Sequence, residues 1–241
     1  MRFEPPLVPG RLVARQNRFS AAVEVDKSIV MAHVANSGRL RELLVPGAAV
    51  YLEPRPREGR VCPYDLALVE HQGRLVSIDA RVPNRVIGEA LARGALEPFR
   101  EYPLVFAERR LGKSRLDFAL ATAAAEDSPA DGADARAACF IEVKSCTLVV
   151  DGEARFPDAP TARGARHLDE LRRLRHRGGR AAAIFCVQRD DAVAFAPNDA
   201  TDPGFGQALR RAMKAGVEVY AYRCRVGLDG IAIEGQVPIR V

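Results

Sequence analysis

Three residues that could bind a divalent metal ion lie in two short apolar segments near the middle of the chain. Asp117 lies in Ser114-Arg115-Leu116-Asp117-Phe118, and Glu142 and Lys144 lie in Phe140-Ile141-Glu142-Val143-Lys144-Ser145. Two carboxylates supply the hard oxygen ligands that Mg²⁺ or Mn²⁺ prefers, whether one ion or two are held. An ammonium group beside them can stabilise negative charge on a phosphate. The combination is typical of metal-dependent phosphodiester hydrolysis.

The segment that contains Glu142 has the alternation of a β-strand. Ile141 and Val143 fall on one face, whereas Glu142 and Lys144 fall on the other. Burying a carboxylate and an ammonium in an apolar strand is costly unless both have partners. We therefore expect Asp117 to lie on a neighbouring strand and the Val143 carbonyl to be a third metal ligand. A structural ion pair at a sheet edge is the alternative interpretation.

Composition limits the classes of protein that the chain can represent. Its 241 residues are 48% hydrophobic, which is enough for one or two folded domains. A net charge of +5 favours a polyanionic partner. The five cysteines form no Cys-x-x-Cys pair, and neither a signal peptide nor an apolar run of membrane-spanning length is evident. These features predict a cytoplasmic protein with no membrane partner.

The hydrophobic pattern divides the chain into two parts. Residues 1–82 contain short alternating segments separated by turns, which predict a small β-barrel of the OB type, a fold common among nucleic-acid binders. Residues 83–241 alternate strand and helix patterns, which predict an α/β domain. The predicted helices are 83–91, 161–176 and 206–215. The Ala/Asp-rich insert 123–137 is predicted to be a flexible surface loop.

A second group of side chains could contact the backbone of a nucleic acid. Arg163 and His167 lie one helical turn apart, and Thr161 can cap the helix at the end where backbone N–H groups attract anions. The predicted nucleic-acid contacts are Arg15, Arg18, Arg115, Arg163 and His167. An amphipathic helix with ordinary surface charges is the alternative, and we prefer it for the later arginines of this helix.

Five motifs in this chain together resemble one family. They are Asn36-Ser37-Gly38, Pro83-Asn84, Ser114 to Phe118, Ile141 to Ser145, and Phe156-Pro157-Asp158-Ala159-Pro160-Thr161-Ala162-Arg163-Gly164-Ala165-Arg166-His167. In this order they resemble the sugar fermentation stimulation protein A family nearly end to end. The resemblance implies an N-terminal OB-like barrel joined to a C-terminal PD-(D/E)xK nuclease-like domain, with DNA as the usual partner.

The resemblance also implies roles for single residues. Asp117 and Glu142 correspond to the metal ligands of the PD-(D/E)xK superfamily, and Lys144 corresponds to its catalytic lysine. Glu108 occupies the place where a further acid, often on a helix, stands in such nucleases, and it is therefore a candidate for an additional metal ligand. Members of the family have been named as regulators of sugar catabolism.

Two further polar residues are expected near the site. Asp158 is expected either to face the metal or to support Arg163. Asn36 is expected to form a tight turn close to the site.

The sequence is thus compatible with three functions. The first is a DNA-binding protein with a metal-dependent nuclease-like site and little sequence preference. The second is a DNA-binding regulator of sugar catabolism that does not cleave. The third is an enzyme for a small phosphorylated metabolite, which the OB-like half makes less favourable. RNA as the partner, single against double strands, and a homodimer are left open.

Overall fold

The computed structural model describes residues 1–55, 59, 61–111, 114–122 and 138–241. Across these residues the chain forms fifteen β-strands, three α-helices and one short 3-10 helix. The insert at 123–137, for which a surface loop is predicted, lies outside the described residues. No helix in the described ranges is long and apolar enough to cross a membrane.

The N-terminal part is a closed five-stranded barrel. Its strands are β1 (Val8–Asn17), β2 (Ser20–Val25), β3 (Ser28–His33), β4 (Ala49–Pro54) and β5 (Tyr64–His71), and β6 (Arg74–Ser77) pairs antiparallel with β5. Strand β1 pairs antiparallel with β2 and β4, and a parallel pairing of β3 with β5 closes the ring. Alternate strand residues such as Leu12, Val23, Leu52 and Leu66 fill its core. This arrangement confirms the predicted OB-like barrel.

Turn residues explain how the short strands of the barrel are joined. Asp26 and Lys27 adopt positive φ angles of 48° and 64° between β2 and β3, and Gln72 and Gly73 adopt 52° and 74° between β5 and β6. Two consecutive residues with positive φ match the right-handed twist of the strands that they connect. The register of the β2–β3 and β5–β6 hairpins therefore follows from the residues of their own turns.

The C-terminal part is an α/β domain around a six-stranded sheet. Its elements are α1 (Val82–Ala92), a 3-10 helix (Glu97–Phe99), β7 (Leu104–Leu111), β8 (Ser114–Ala121), β9 (Ala138–Cys146), β10 (Val149–Val150), β11 (Glu153–Phe156), α2 (Ala162–His176), β12 (Arg180–Val187), β13 (Ala194–Pro197), α3 (Pro203–Lys214), β14 (Glu218–Val226) and β15 (Ile231–Val237). The strand order is β15-β14-β12-β9-β8-β7, with β9, β12 and β14 parallel. Strands β10, β11 and β13 form a separate small sheet.

Helices cover both faces of the large sheet. Ala183 and Phe185 of β12 pack in one core with α2 and α3, whereas Ile184 and Cys186 pack in a second core with α1. This period-two division of one buried strand is expected for a sheet between two helical layers. The α/β prediction is confirmed, although α3 begins three residues earlier than predicted because Asp202 caps it by accepting from the Phe205 amide at 2.9 Å.

Buried hydrogen bonds join the barrel to the α/β domain. The Ser77 hydroxyl donates to Gln188 Oε1 at 2.7 Å, and the Ser77 amide donates to the Gln188 carbonyl at 3.0 Å. Gln188 Nε2 in turn donates to the Ser145 hydroxyl at 2.8 Å. The end of the barrel is therefore linked directly to the strand that carries Glu142 and Lys144.

Candidate active site at the junction of the two domains

The large sheet opens between β8 and β9. These strands pair antiparallel from Phe118 opposite Ile141 to Ala121 opposite Ala138, and the ladder stops before Asp117 and Glu142. The sequence between the two strands does not reveal this opening, because it depends on their pairing register. The opening of the sheet places the carboxylates of Asp117 and Glu142 at the edge of a polar cavity.

Asp117 is fixed by two hydrogen bonds. Its Oδ2 accepts from the Val143 amide at 2.7 Å, and its Oδ1 accepts from Asn84 Nδ2, on α1, at 2.7 Å. Burial, and then the charge of Glu142, raise the pKa of Asp117, although both hydrogen bonds and Lys144 act in the opposite direction. A carboxylate with a raised pKa beside a second carboxylate is a group that a cation would stabilise.

Glu142 is almost completely buried, with 4% of its surface exposed. Its Oε1 is shared by Lys144 Nζ and His167 Nδ1. Burial acts to raise the pKa of Glu142, but the contacts with His167 and Lys144 outweigh it, so the pKa is lowered and the group stays ionised. Its other oxygen, Oε2, is buried without a hydrogen-bond partner among the described residues. A buried anionic oxygen without a partner is costly unless a cation or water satisfies it.

His167 positions Glu142. Arg163 Nε lies 3.4 Å from His167 Nε2, which makes Nε2 the acceptor and leaves the proton on Nδ1 for donation to Glu142. His167 as a whole is 3% exposed, and both of its ring nitrogens face protein groups. This differs from the phosphate contact predicted for His167, because the ring has no free nitrogen. Arg163 is exposed at the start of α2 and remains available to a ligand.

The helix α2 begins where the sequence predicts. Thr161 caps it, since its side chain accepts from the Gly164 amide at 3.0 Å. Leu168, Leu171 and Leu174 face the core, which leaves the N-terminal turn at the rim of the cavity. Backbone N–H groups at such an end favour an anion.

Both domains form the walls of the cavity, whose volume is ≈ 550 Å³. The barrel contributes Arg18 and the turn Asn36 to Gly38, and the α/β domain contributes Asn84, Asp117, residues 142–145 and residues 156–163. The predicted turn at Asn36 is present: its Oδ1 accepts from the Gly38 amide at 2.8 Å, and its Nδ2 donates to the Ile78 carbonyl at 2.7 Å. Asn36 thus shapes the wall of the cavity.

Asp158 joins the two walls. Its Oδ2 accepts from the Leu40 amide at 3.2 Å. Gly38 lies so close to the Asp158 carboxylate that a Cβ there would overlap with it. The Asp158 side chain therefore contacts the barrel loop, and the predicted support of Arg163 is not among the described hydrogen bonds and ion pairs.

The predicted contacts on the barrel take different positions. Arg15 donates to the carbonyls of Arg18 at 2.8 Å and Gly38 at 3.0 Å, among others, so it organises the loop that walls the cavity. Burial lowers the pKa of Arg15. Arg18 lies in the turn after β1, lines the cavity, and donates to the Ser37 carbonyl at 3.1 Å.

Glu108 and Arg115 lie outside the cavity. Glu108 belongs to β7, whereas in the nucleases of the resemblance such an acid often stands on a helix. Its carboxylate pairs with Arg115 at 3.5 Å, and both side chains are about two-thirds exposed. Since neither residue lines the cavity, the structure does not bring them to Asp117 and Glu142.

The donor set fits a hard divalent ion that keeps several waters. In the described part of the chain no group of three or more His, Cys, Asp or Glu side chains could hold a metal ion together. Two carboxylates, of which one has an unpartnered oxygen, suit Mg²⁺ or Mn²⁺, because such ions complete their coordination with water and substrate phosphate. The residues present therefore fit the predicted cofactor.

Asn84 is a site residue for which the sequence predicted no role. It lies two residues after the start of α1, and its contact with Asp117 crosses 33 positions of the chain. The Pro83-Asn84 motif is the one signal that could have identified it. This hydrogen bond from the Asn84 amide fixes the orientation of the Asp117 carboxylate.

Both halves of the chain match models of known protein families. A family model described as the SfsA N-terminal OB domain matches residues 13–78, and one described as the sugar fermentation stimulation protein RE domain matches residues 81–230. Among curated relatives, a sugar fermentation stimulation protein homolog from Caldanaerobacter subterraneus subsp. tengcongensis is 46% identical over 239 residues and covers 99% of each chain. A homolog from Moorella thermoacetica is 46% identical and covers 98% of this chain and 96% of its own.

A solved structure is similar over the whole length. SfsA from Pyrococcus furiosus, solved in complex with Ca²⁺, superposes with a TM-score of 0.87 and is 29% identical, with 100% of both chains covered.

Proposed function

This chain belongs to the sugar fermentation stimulation protein (SfsA) family, and from that premise we propose that it binds DNA and cleaves phosphodiester bonds with the help of a divalent metal ion. Sequence preference is expected to be low, because most contacts would be made with phosphates. The observation that carries the proposal is the buried, ionised Glu142 with an unpartnered Oε2, next to Asp117 at the opening of the sheet.

The chemistry of the donor set supports a metal site. Asp117, Glu142 and the Val143 carbonyl would hold Mg²⁺ or Mn²⁺. When bound, such an ion lowers the pKa of a coordinated water and polarises a phosphate oxygen. That the Pyrococcus furiosus relative was solved in complex with Ca²⁺ supports a divalent-ion site in this fold.

The remaining side chains supply charge and position. Lys144 reaches the same Glu142 oxygen as His167, so its ammonium lies within the site and can stabilise charge that develops on a phosphate. Arg163, exposed at the N-terminal turn of α2, would bind the neighbouring phosphate and orient the strand. His167 keeps the Glu142 carboxylate fixed, which is the function of a positioning residue.

The barrel supports a polymer as the substrate. Its loop forms one wall of the cavity, and a substrate limited to the α/β domain would not need that wall. The positive net charge of +5 agrees with a polyanion. DNA is the partner that the OB domain of this family suggests, and RNA offers the same phosphate backbone.

Cleavage of DNA by matched variants tests the proposal. Supercoiled and single-stranded DNA are incubated with Mg²⁺ or Mn²⁺ and with wild-type protein, Glu142→Gln or Glu108→Gln. We expect metal-dependent cleavage by wild type and Glu108→Gln, and a loss of about 100-fold or more for Glu142→Gln with DNA affinity retained, since an amide cannot supply the ligand charge. Equal cleavage by Glu142→Gln, or cleavage unaffected by EDTA, would contradict the assignment.

A second candidate is a DNA-binding regulator that does not cleave. It is favoured by the small number of acids at the site and by the saturation of Glu142 Oε1 with two protein partners. The family's name is the only support for a role in sugar metabolism. The same experiment separates the two candidates, because a regulator retains DNA binding and leaves the DNA intact under both metal conditions.

A further inference from the structure

A second cavity on the barrel adjoins the candidate active site. Its volume is ≈ 480 Å³, and it shares Arg18, Ser37, Gly38 and Ala159 with the first cavity. We call it the outer cavity, and its remaining lining residues are Arg15, Asn17, Arg39 and Arg41. Because the two cavities share these four residues, the outer cavity lies next to the one that contains Asp117 and Glu142, and we call the two together the path.

The outer cavity is strongly cationic. Four arginines line it, and no Asp or Glu does. Arg18, Arg39 and Arg41 are exposed, and within the described residues the guanidinium groups of Arg39 and Arg41 make no ion pair. Arg15 donates its hydrogen bonds to carbonyl oxygens, but its positive charge still contributes to the outer cavity. Such a lining attracts successive phosphates of a polyanion.

An exposed aromatic ring flanks the outer cavity. Phe19 is 49% exposed, and the Arg18 guanidinium lies 5.6 Å from the centre of its ring. Its backbone is held on both sides, because its amide donates to Asn17 Oδ1 at 2.8 Å and its carbonyl accepts from the Val34 amide at 2.8 Å. An exposed ring on a fixed turn beside arginines is a surface on which an unpaired base can stack.

The approach to the candidate active site suits a single strand better than a duplex. Each cavity has the size of a small-molecule pocket, typically about 300–1,000 Å³. The Leu40–Asp158 hydrogen bond joins the walls where the two cavities meet, which limits how far they separate. A single strand can pass its phosphates along the arginines while its bases turn outward, whereas a paired strand cannot expose a base to Phe19.

We propose that the candidate active site takes single-stranded polynucleotide, threaded through the outer cavity with a base stacked on Phe19. This inference rests on the proposed function, since it assigns the form of nucleic acid on which that site acts. It concerns the approach to the metal site, and none of its residues is a proposed metal ligand.

Binding measured without metal tests the inference. Fluorescently labelled single-stranded DNA, single-stranded RNA and blunt duplex DNA of one length are titrated with the full chain in EDTA at one fixed salt concentration. We expect at least one of the two single strands to bind at least tenfold more tightly than the duplex. Comparison of the DNA and RNA titrations shows which single strand the protein prefers. Duplex affinity equal to that of both single strands would overturn the inference.

Two matched pairs of variants locate the path. Phe19→Ala is expected to weaken single-strand binding about tenfold, while Phe19→Trp retains it, because the effect follows the ring. Ile29→Ala, which truncates another exposed apolar side chain of the barrel, serves as its control.

Arg39→Gln is expected to reduce the slope of log affinity against log salt concentration by about 0.7, the value for one lost phosphate contact on a single strand. Arg177→Gln, an exposed arginine beyond the end of α2, serves as its control.

Each result separates the inference from the proposed function. If Phe19→Ala and Arg39→Gln bind like their controls, the path is wrong, even where metal-dependent cleavage persists. If single strands are preferred through Phe19 but wild type never cleaves, the inference stands and the nuclease proposal fails. A thermal melt of each variant ensures that a loss of binding is not a loss of fold.

Discussion

The Val143 amide donates a hydrogen bond to Asp117 Oδ2 across 2.7 Å, beyond the last residue pair of the β8–β9 ladder. The carboxylate thereby takes an amide that would otherwise point into the opening of the sheet. Together with Asn84, this bond fixes Asp117 in position without any help from an ion. A carboxylate held in this way is organised in advance for a cation, so little reorganisation is needed when one binds.

Replacing Asp117 by Asn should weaken metal binding while the fold is retained. The amide oxygen of Asn can still accept from Val143, but the negative charge is lost. We expect the affinity for Mn²⁺ to fall at least about tenfold, as for the loss of a charged ligand. Calorimetric titration of Mn²⁺ measures this, with Glu108→Gln as the control for one acid fewer. Unchanged Mn²⁺ affinity in Asp117→Asn would exclude Asp117 as a ligand.

The stability of the metal-free protein should depend on pH through Asp117. Burial, followed by the charge of Glu142, raises the pKa of Asp117 in the folded chain, so the folded state takes up this proton at a higher pH than the unfolded state. This contribution therefore makes the folded state more stable as the pH falls through the raised pKa towards the ordinary value of 3.8. The lowered pKa of Glu142 acts in the opposite direction, and its contribution is lost as the pH falls through that lowered value.

Comparison with Asp117→Asn isolates the contribution of Asp117. Melting temperatures of both proteins are measured in EDTA from neutral pH downward. The melting temperature of Asp117→Asn minus that of wild type should decrease as the pH falls, because only wild type gains from protonation at residue 117. A difference that grows on acidification would show that the pKa of Asp117 is not raised.

His167 should affect the rate of cleavage more than the affinity for DNA. Removing a buried partner of a metal-ligating carboxylate typically reduces metal affinity or activity about 10–100-fold. We expect His167→Ala to lower kcat in this range with KM for DNA changed less than about threefold, and His167→Asn to restore part of the loss. Steady-state kinetics at saturating Mg²⁺ measure the two constants. A raised KM with an unchanged kcat would instead indicate a phosphate contact.

Gly38→Ala should disturb the contact between the two domains. A Cβ at this position overlaps with the Asp158 carboxylate, and overpacking of this kind costs about 1–3 kcal/mol. Gly235→Ala is the control, since no atom lies within 4 Å of its added Cβ. Denaturant unfolding should show that Gly38→Ala costs clearly less in an Asp158→Ala background, because the carboxylate that lies nearest to the added Cβ is gone and only Asn36 Oδ1, at 3.0 Å, remains. Equal costs in both backgrounds would contradict the contact.

The sequence predicted those features that depend on short-range pattern. Alternation along β9 places Glu142 and Lys144 on one face, and the cap at Thr161 and the leucines of α2 follow helical periodicity. Both domain folds follow from the order of such elements and from the motifs that resemble the family. The metal and the nuclease activity stay predictions.

Contacts between distant segments could not be predicted in this way. The Asn84–Asp117 bond crosses 33 positions and the Leu40–Asp158 bond crosses 118, and neither leaves a periodic trace in the sequence. The position of Glu108 outside the cavity also depends on how β7 pairs with β8, which the resemblance did not indicate. The Glu142–His167 contact was likewise missed, since helix geometry relates His167 to Arg163 but not to a strand 25 positions away.

The buried chain of hydrogen bonds from Ser77 through Gln188 to Ser145 has a consequence for how this protein can be divided or recombined. A fragment that starts at α1 would carry every proposed metal ligand, but Gln188 would lack its hydrogen-bond partner Ser77. The cavity around the proposed ligands would also lack the wall that the barrel provides. Chimaeras that exchange one half between relatives must therefore keep both sides of this seam matched.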